Sequence, residues 1–234
     1  MEFTKLSSPS LKELFIKQLE NMILSAKIAV GEKLPSEREL ADSMQVSRAV
    51  VNSGIAELAR KGFLIIKPRI GTFVADYRKD GTMETLIAIM NYNGGILRDA
   101  EIRSILELRI AYDTLAVELC IPKITNDELT ILKHHVDQIK VATSPSMASA
   151  FAFKFQHELA FISGNTLLPL IFSSFKVPII TLWERFCILY GIHVLHENTA
   201  TLCDYIEQKD AKAAVAWLNT SIQNTIDGDR PIYY

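Results

Sequence analysis

Leu11, Leu14, Phe15, Met22 and Ile23 fall near one face of a helix with a 3.6-residue period. Ser10 and Glu13 have the spacing of a capping box at its start. The signal fades at Lys27, and Val30-Gly31-Glu32-Lys33 reads as a turn. A second capping box, Ser36 with Glu39, follows Pro35 and opens a short helix expected to bury Leu40, Ala41 and Met44. Gln45-Val46 makes a tight turn. Ser47 then caps a third helix whose inward residues are Val51, Ile55 and Leu58, and which stops near Gly62. Two β-favouring runs, FLII and GTFV, flank Lys67-Pro68-Arg69-Ile70, and pairing them antiparallel gives a small hairpin.

From Tyr77 to Gly81 the chain turns polar (YRKDG), which predicts a linker over 77–82. Beyond it, helical periodicity covers roughly 83–93, 98–120, 126–142, 147–163, 167–190 and 194–226, with the last broken at Lys209-Asp210. Thr125 with Glu128 is another capping box, and Pro178 predicts a kink or break inside its helix. There is no internal repeat and no low-complexity tract. The expected class is mainly α. A winged helix-turn-helix with a small β-hairpin wing (1–76) precedes an all-α antiparallel helical bundle (83–234).

Composition narrows this picture only a little. At 49% hydrophobic and 22% charged residues, the chain can build an ordinary core. No apolar run approaches the roughly 18 residues of a membrane span, and the start lacks a signal-peptide pattern. Cys120, Cys187 and Cys203 are odd in number and far apart, as expected of small buried side chains in a reducing compartment. These features predict a cytoplasmic protein with no membrane partner. Charge is uneven: residues 1–78 carry 12 Lys+Arg against 9 Asp+Glu, and the rest 13 against 18. A mildly basic front on an acidic back suits a nucleic-acid-binding head on a regulatory body.

Two short helices joined by a tight turn, the second opening Ser-Arg, match the geometry that lays a recognition helix in a DNA major groove. Ser47 and the free N–H groups of that helix can take a phosphate, and Arg48 can donate bidentately to guanine. Arg38 can reach the same groove or its phosphates, and Lys67 and Arg69 at the hairpin tip suit the adjacent minor groove. The plainer alternative makes Ser47 an ordinary N-cap and the arginines solvated surface. The segments LPSERELADSMQVSRAVV, LARKGFL and GTFV resemble the GntR family of bacterial transcription regulators over about residues 10–75. That resemblance implies that Arg38, Ser47, Arg48, Val50 and the wing from Lys67 through Gly71 to Thr72 lie at the DNA. The family usually has Val-Arg where this chain has Val51-Asn52. Asn52 keeps hydrogen-bonding capacity but not the charge, so weaker phosphate anchoring or a changed base preference is expected.

The body resembles the C-terminal helical domain of the FadR-like branch, through ILELRIAYDTLAVELC (105–120), FQHELAFISGNTLL (155–168) and IEQKDAKAAVAWL (206–218). The resemblance implies a homodimer binding a roughly palindromic double-stranded operator, with a small effector held in the helical domain, often over a metal. The positions of the usual metal ligands are occupied here by Ala152, Gln156, Thr199 and Thr220 or Ser221, none a good ligand. His157 is one residue out of register. His193 and His196 could share a helix face but lack an evident third donor beyond Glu197. A degenerate site and no metal cofactor are therefore expected. Arg109 matches an arginine that in this branch points into the ligand cavity, where it could hold a carboxylate or phosphate; an internal salt bridge is the alternative. The effector would be a small carboxylate bound by Arg109, Gln156, Thr199, Thr220 and Ser221, or a fatty acyl thioester. For the latter, Phe151, Phe153, Phe155, Phe161, Phe172 and Phe175 could line the site, unless they are core or dimer interface. The rival readings are an enzyme with a vestigial head, which lacks a nucleophile–base pair and a phosphate loop, and a ligand-free DNA architectural protein.

Overall fold

A computed structural model describes residues 9–90, 92 and 99–233. The ends of two expected helices, at 91, 93 and 98, lie outside the described residues. The chain forms two compact units that divide after Gly94.

The first unit contains α1 (Leu11–Leu24), α2 (Glu37–Met44), α3 (Arg48–Arg60), the strands β1 (Leu64–Lys67) and β2 (Gly71–Val74), a one-turn helix α4 (Tyr77–Asp80) and α5 (Met83–Met90). Both expected capping boxes form, Ser10 with Glu13 and Ser36 with Glu39. Gln45 takes the left-handed conformation at φ 53° that closes α2 tightly enough for α3 to follow at once. Gly62, at φ 77°, ends α3, and the Phe63 N–H reaches back to the Leu58 carbonyl at 2.9 Å. The strands pair antiparallel, Leu64 opposite Val74 and Lys67 opposite Gly71.

Three features depart from the expected pattern. The face of α1 that is buried runs through Phe15, Ile16, Leu19, Ile23 and Leu24, while Leu11 and Leu14 are exposed. The expected turn at 30–33 forms at Val30-Gly31, closed by the Glu32 N–H on the Ala29 carbonyl at 3.0 Å, but from Glu32 to Leu34 the chain runs on as an extended edge beside β2. The Gly31 N–H donates to the Val74 carbonyl at 2.9 Å and the Leu34 N–H to the Thr72 carbonyl at 2.8 Å. The expected linker at 77–82 is largely α4, and α5 packs on the first unit rather than opening the second, with Ala88 and Ile89 against its core. The Thr85 hydroxyl donates to the Lys61 carbonyl, and Arg60 pairs with Glu84.

At Gly54, α1 and α3 approach so closely that an added Cβ would sit 2.6 Å from Cε1 of the buried Phe15 ring. Gly54→Ala should gain about 1 kcal/mol of helix propensity but lose about 1–3 kcal/mol to overpacking. A net drop in the denaturation midpoint of the isolated residues 1–94, or of the head transition in the full chain, is the expected result.

The second unit consists of α6 (Asp99–Cys120), α7 (Asn126–Lys140), α8 (Pro145–Ile162), α9 (Leu168–Ser174), α10 (Lys176–Tyr190), α11 (Ile192–Glu207) and α12 (Ala211–Ile226). α8 is central, packing against α6, α7, α9, α10 and α11 through Ala148, Ala152, Phe155 and Leu159. The expected break near Pro178 falls at Phe175, which leaves Pro178 in the first turn of α10, where no helical N–H bond is lost.

Candidate functional site

The head presents one polar surface built from α2, α3 and the hairpin. Ser47 caps α3, its hydroxyl accepting from the Val50 N–H at 3.3 Å. Val50 packs partly on the core, whereas Arg48 and Asn52 are exposed on the first turns of the helix. Arg38 is exposed on α2, with its Nε 3.8 Å from Asp42. At the hairpin tip Lys67, Pro68 and Arg69 are exposed, with the Lys67 ammonium 4.8 Å from the centre of the Phe73 ring. Gly71 and Thr72 begin β2, and the Thr72 carbonyl is occupied by the Leu34 N–H. Arg69 is notable: it holds φ 63° in a turn closed by the Ile70 N–H and the Lys67 carbonyl. Pro68 suits the preceding position of such a turn, but a long β-substituted side chain at the left-handed position is strained.

The second unit encloses a cavity with about 620 Å³ of empty space, its mouth included. Arg109, Gln156, Thr199 and Ser221 all line it, from α6, α8, α11 and α12. Thr220 does not; it faces a smaller recess with Asn224 and Arg230. Most of the wall is apolar, including Leu106, Leu182, Phe186 and Leu202, and both tryptophans of the chain, Trp183 and Trp217, stand on it.

Arg109 is buried, and two groups explain how a cation rests there. One guanidinium nitrogen donates to Asp113 Oδ2 at 2.9 Å, one turn along α6, and the Trp183 ring lies 4.6 Å from the guanidinium carbon. Arg109 thus makes the internal ion pair and also lines the cavity. Asp113 is fully buried, and that burial pushes its pKa up from 3.8 to about 6 against the pull of Arg109. Arg109 Nε, Asp113 Oδ1 and Gln156 Oε1 are buried without a hydrogen-bond partner. Arg109 and Gln156 line the cavity, so two of these unsatisfied atoms belong to its wall residues, which is costly in a packed interior and leaves capacity for a polar ligand.

The donor set does not fit a metal. Ala152, Gln156, Thr199 and Ser221 supply at most neutral amide and hydroxyl oxygens, and the Thr199 hydroxyl donates to the Leu195 carbonyl at 2.8 Å. His157 turns elsewhere, its Nε2 lying 3.1 Å from the Pro169 carbonyl and 3.0 Å from the Ser173 hydroxyl, with its ring stacked on Phe153. Among the described residues no group of three or more His, Cys, Asp or Glu side chains could hold a metal ion. The six phenylalanines considered for an acyl pocket are also elsewhere. Phe153, Phe155, Phe172 and Phe175 are core, Phe161 is exposed, and none of the six lines the cavity.

Asp113, Trp183, Asn198, Trp217 and Ile232 were not singled out by the sequence. The spacing of four between Arg109 and Asp113 was a usable signal for an ion pair on one helix face. Nothing in the local pattern marks Ile232.

Among the described residues no single helix is long and apolar enough to cross a membrane. The profile of "Bacterial regulatory proteins, gntR family" matches residues 12–74, and that of the FCD domain matches residues 104–224. The uncharacterized HTH-type transcriptional regulator YcbG of Bacillus subtilis is 27% identical over 150 residues, 64% of this chain and 60% of that protein's length. The HTH-type transcriptional repressor NanR of Cronobacter sakazakii is 27% identical over 237 residues, covering 94% of this chain and 85% of NanR. The structure of Lar, which controls expression of the Listeria monocytogenes agr system, superposes with a TM-score of 0.64 at 13% identity over 94% of this chain and 97% of that one, a likeness of fold. These families are transcription regulators, not enzymes. The chain belongs to the GntR family, as a transcription regulator with a GntR DNA-binding head and an FCD effector-binding body.

Proposed function

We propose that the protein works in the cytoplasm as a homodimer whose two heads read two half-sites of a roughly palindromic operator. Arg48 and Asn52 would face base edges or phosphates in the major groove. Ser47 and Arg38 would hold phosphates, and Lys67, Arg69, Gly71 and Thr72 would approach the minor groove. An effector in the cavity of the second unit would shift the population of DNA-competent arrangements.

The effector proposed here is an organic molecule with one carboxylate on a largely apolar or aromatic body, bound without a metal. The observation that carries this is Arg109, a buried guanidinium on the cavity wall with Nε unpartnered. Asp113 already neutralises most of its charge, and it is the only charged group on the wall among the described residues, so a second carboxylate would find no cation. The displaced phenylalanines argue against a long acyl thioester. A thermal-shift scan of metal-stripped protein tests this with aromatic monocarboxylates, dicarboxylates, acyl thioesters, Zn²⁺ and Ni²⁺. A ligand at 100 times its Kd should stabilise by about 2.7 kcal/mol. Stabilisation by metal, or by acyl thioesters alone, would overturn the reading.

Two substitutions test the DNA face. Asn52→Arg should steepen the logarithmic salt dependence of operator binding by about 0.9, one added phosphate contact; an unchanged slope would place Asn52 away from the DNA. Arg69→Gly relieves the left-handed strain and should raise head stability by about 1 kcal/mol, yet weaken DNA binding. Equal or tighter binding by that variant would remove Arg69 from the interface.

A further inference from the structure

Of the 16 residues lining the cavity, 15 stand on α6, α8, α10, α11 and α12, and the exception is Ile232. It belongs to an irregular tail, residues 227–233, that leaves α12 and turns back along it. The Arg230 N–H donates to the Asn224 carbonyl at 3.0 Å and the Ile232 N–H to the Thr225 carbonyl at 3.2 Å. On the other side the tail is tied to α10. Arg185 Nε donates to the Ile232 carbonyl at 2.9 Å, another Arg185 nitrogen to the Tyr233 carbonyl, and the Tyr190 hydroxyl to the Pro231 carbonyl at 2.7 Å. Ile232 is only 2% exposed, while its neighbours in the tail are half-buried or exposed.

The tail is thus a strap between two helices that places one apolar side chain in the cavity wall. Every other part of that wall could move only by unpacking a helix. The strap could move by releasing a few hydrogen bonds to backbone carbonyls and withdrawing one isoleucine, which places it at the low end of the local-opening scale. We propose that residues 228–233 form a gate over the effector cavity, lifting to admit a ligand and closing on it with Ile232. The ligand's identity rests on the effector reading above, but the gate itself can be tested without a ligand.

Trp183 and Trp217 are the only tryptophans in the chain and both line the cavity, so their quenching by acrylamide reports access to it. A chain ending at Asp227 should show a severalfold larger quenching constant than the full chain. Ile232→Ser and Tyr190→Phe, which keep the tail, should show intermediate increases. Hydrogen exchange separates a gate from general loosening. A gate leaves α6 and α8 as protected as before and raises exchange only around the tail; faster exchange across those helices would overturn the proposal. Unchanged quenching in Ile232→Ser and Tyr190→Phe would also overturn it, even if the truncated chain failed to fold. If quenching rises as expected while no carboxylate shifts the melting curve, the gate stands and the effector assignment falls.

Discussion

Replacing Arg109 by methionine is expected to destabilise the helical unit by about 3–5 kcal/mol at pH 7.5, and by much less at pH 4.5. The substitution keeps an apolar stem on Trp183 but leaves Asp113 fully buried with neither oxygen bonded to a cation. An isolated carboxylate in that position must be protonated or the unit must open. Below pH 3.8 the carboxyl is protonated both folded and unfolded and imposes no penalty. As pH rises, the unfolded chain ionises first, so folding loses ground until the pH passes the folded-state pKa. In the parent protein that window closes near pH 6, and the rise from 3.8 corresponds to a penalty of about 3 kcal/mol. Without Arg109 the folded-state pKa moves higher still, so the penalty keeps growing through neutral pH.

The double variant Arg109→Met with Asp113→Leu should recover most of the loss, since a buried ion pair is often replaced by apolar residues at little cost. Urea unfolding followed by tryptophan emission reads this unit alone, because both tryptophans lie in it. Equal destabilisation of Arg109→Met at the two pH values would show that the ion pair is not what holds this part of the core. So would a double variant no better than the single one.

The pair also shows how far sequence reasoning reaches. Capping boxes at Ser10, Ser36 and Thr125, each with its glutamate three residues on, were legible because they are local and stereotyped. The strand run GTFV was legible for the same reason. The edge formed by residues 31–34 was not, because its order comes from hydrogen bonds to β2 some forty residues away and Gly31-Glu32-Lys33 carries no apolar alternation, leaving the buried Leu34 as its one inward side chain. The rotation of the buried face of α1 toward Ile16 and Leu19 follows from where α3 lies, which no single-helix period contains. The docking of α5 on the head, through Ala88, Ile89 and the Thr85 hydroxyl on the Lys61 carbonyl, was missed because helical periodicity at 83–93 does not say which unit the helix packs against. In the cavity, the residues found in advance came from register with a family pattern. Those missed, Trp183, Trp217 and Ile232, arrive from helix packing and from a tail that folds back. Periodicity names a helix's inward face; only tertiary packing decides which inward residues leave a void between them.

Arg48→Ala should weaken operator binding by about 1–3 kcal/mol, roughly 10- to 100-fold, with stability unchanged to within about 0.5 kcal/mol. Arg48 is the first residue of α3, exposed, and makes no ion pair among the described residues, so its removal leaves no buried group unsatisfied. Arg38, by contrast, already has Asp42 beside it. A guanidinium projecting from the N-terminal turn of a recognition helix can span guanine O6 and N7, which an ammonium cannot do with the same geometry. Arg48→Lys should therefore lose most of the discrimination while keeping the charge. Fluorescence anisotropy at one fixed salt concentration, with an operator selected from random duplexes and a scrambled control, separates the possibilities. If Arg48 reads a base, the alanine variant loses affinity for the operator far more than for the scrambled duplex. If it clamps a phosphate, both duplexes weaken alike and the salt slope falls by about one. No loss on either would mean that α3 enters the groove by another face, and the assignment of Ser47 and Asn52 to the DNA would fall with that of Arg48.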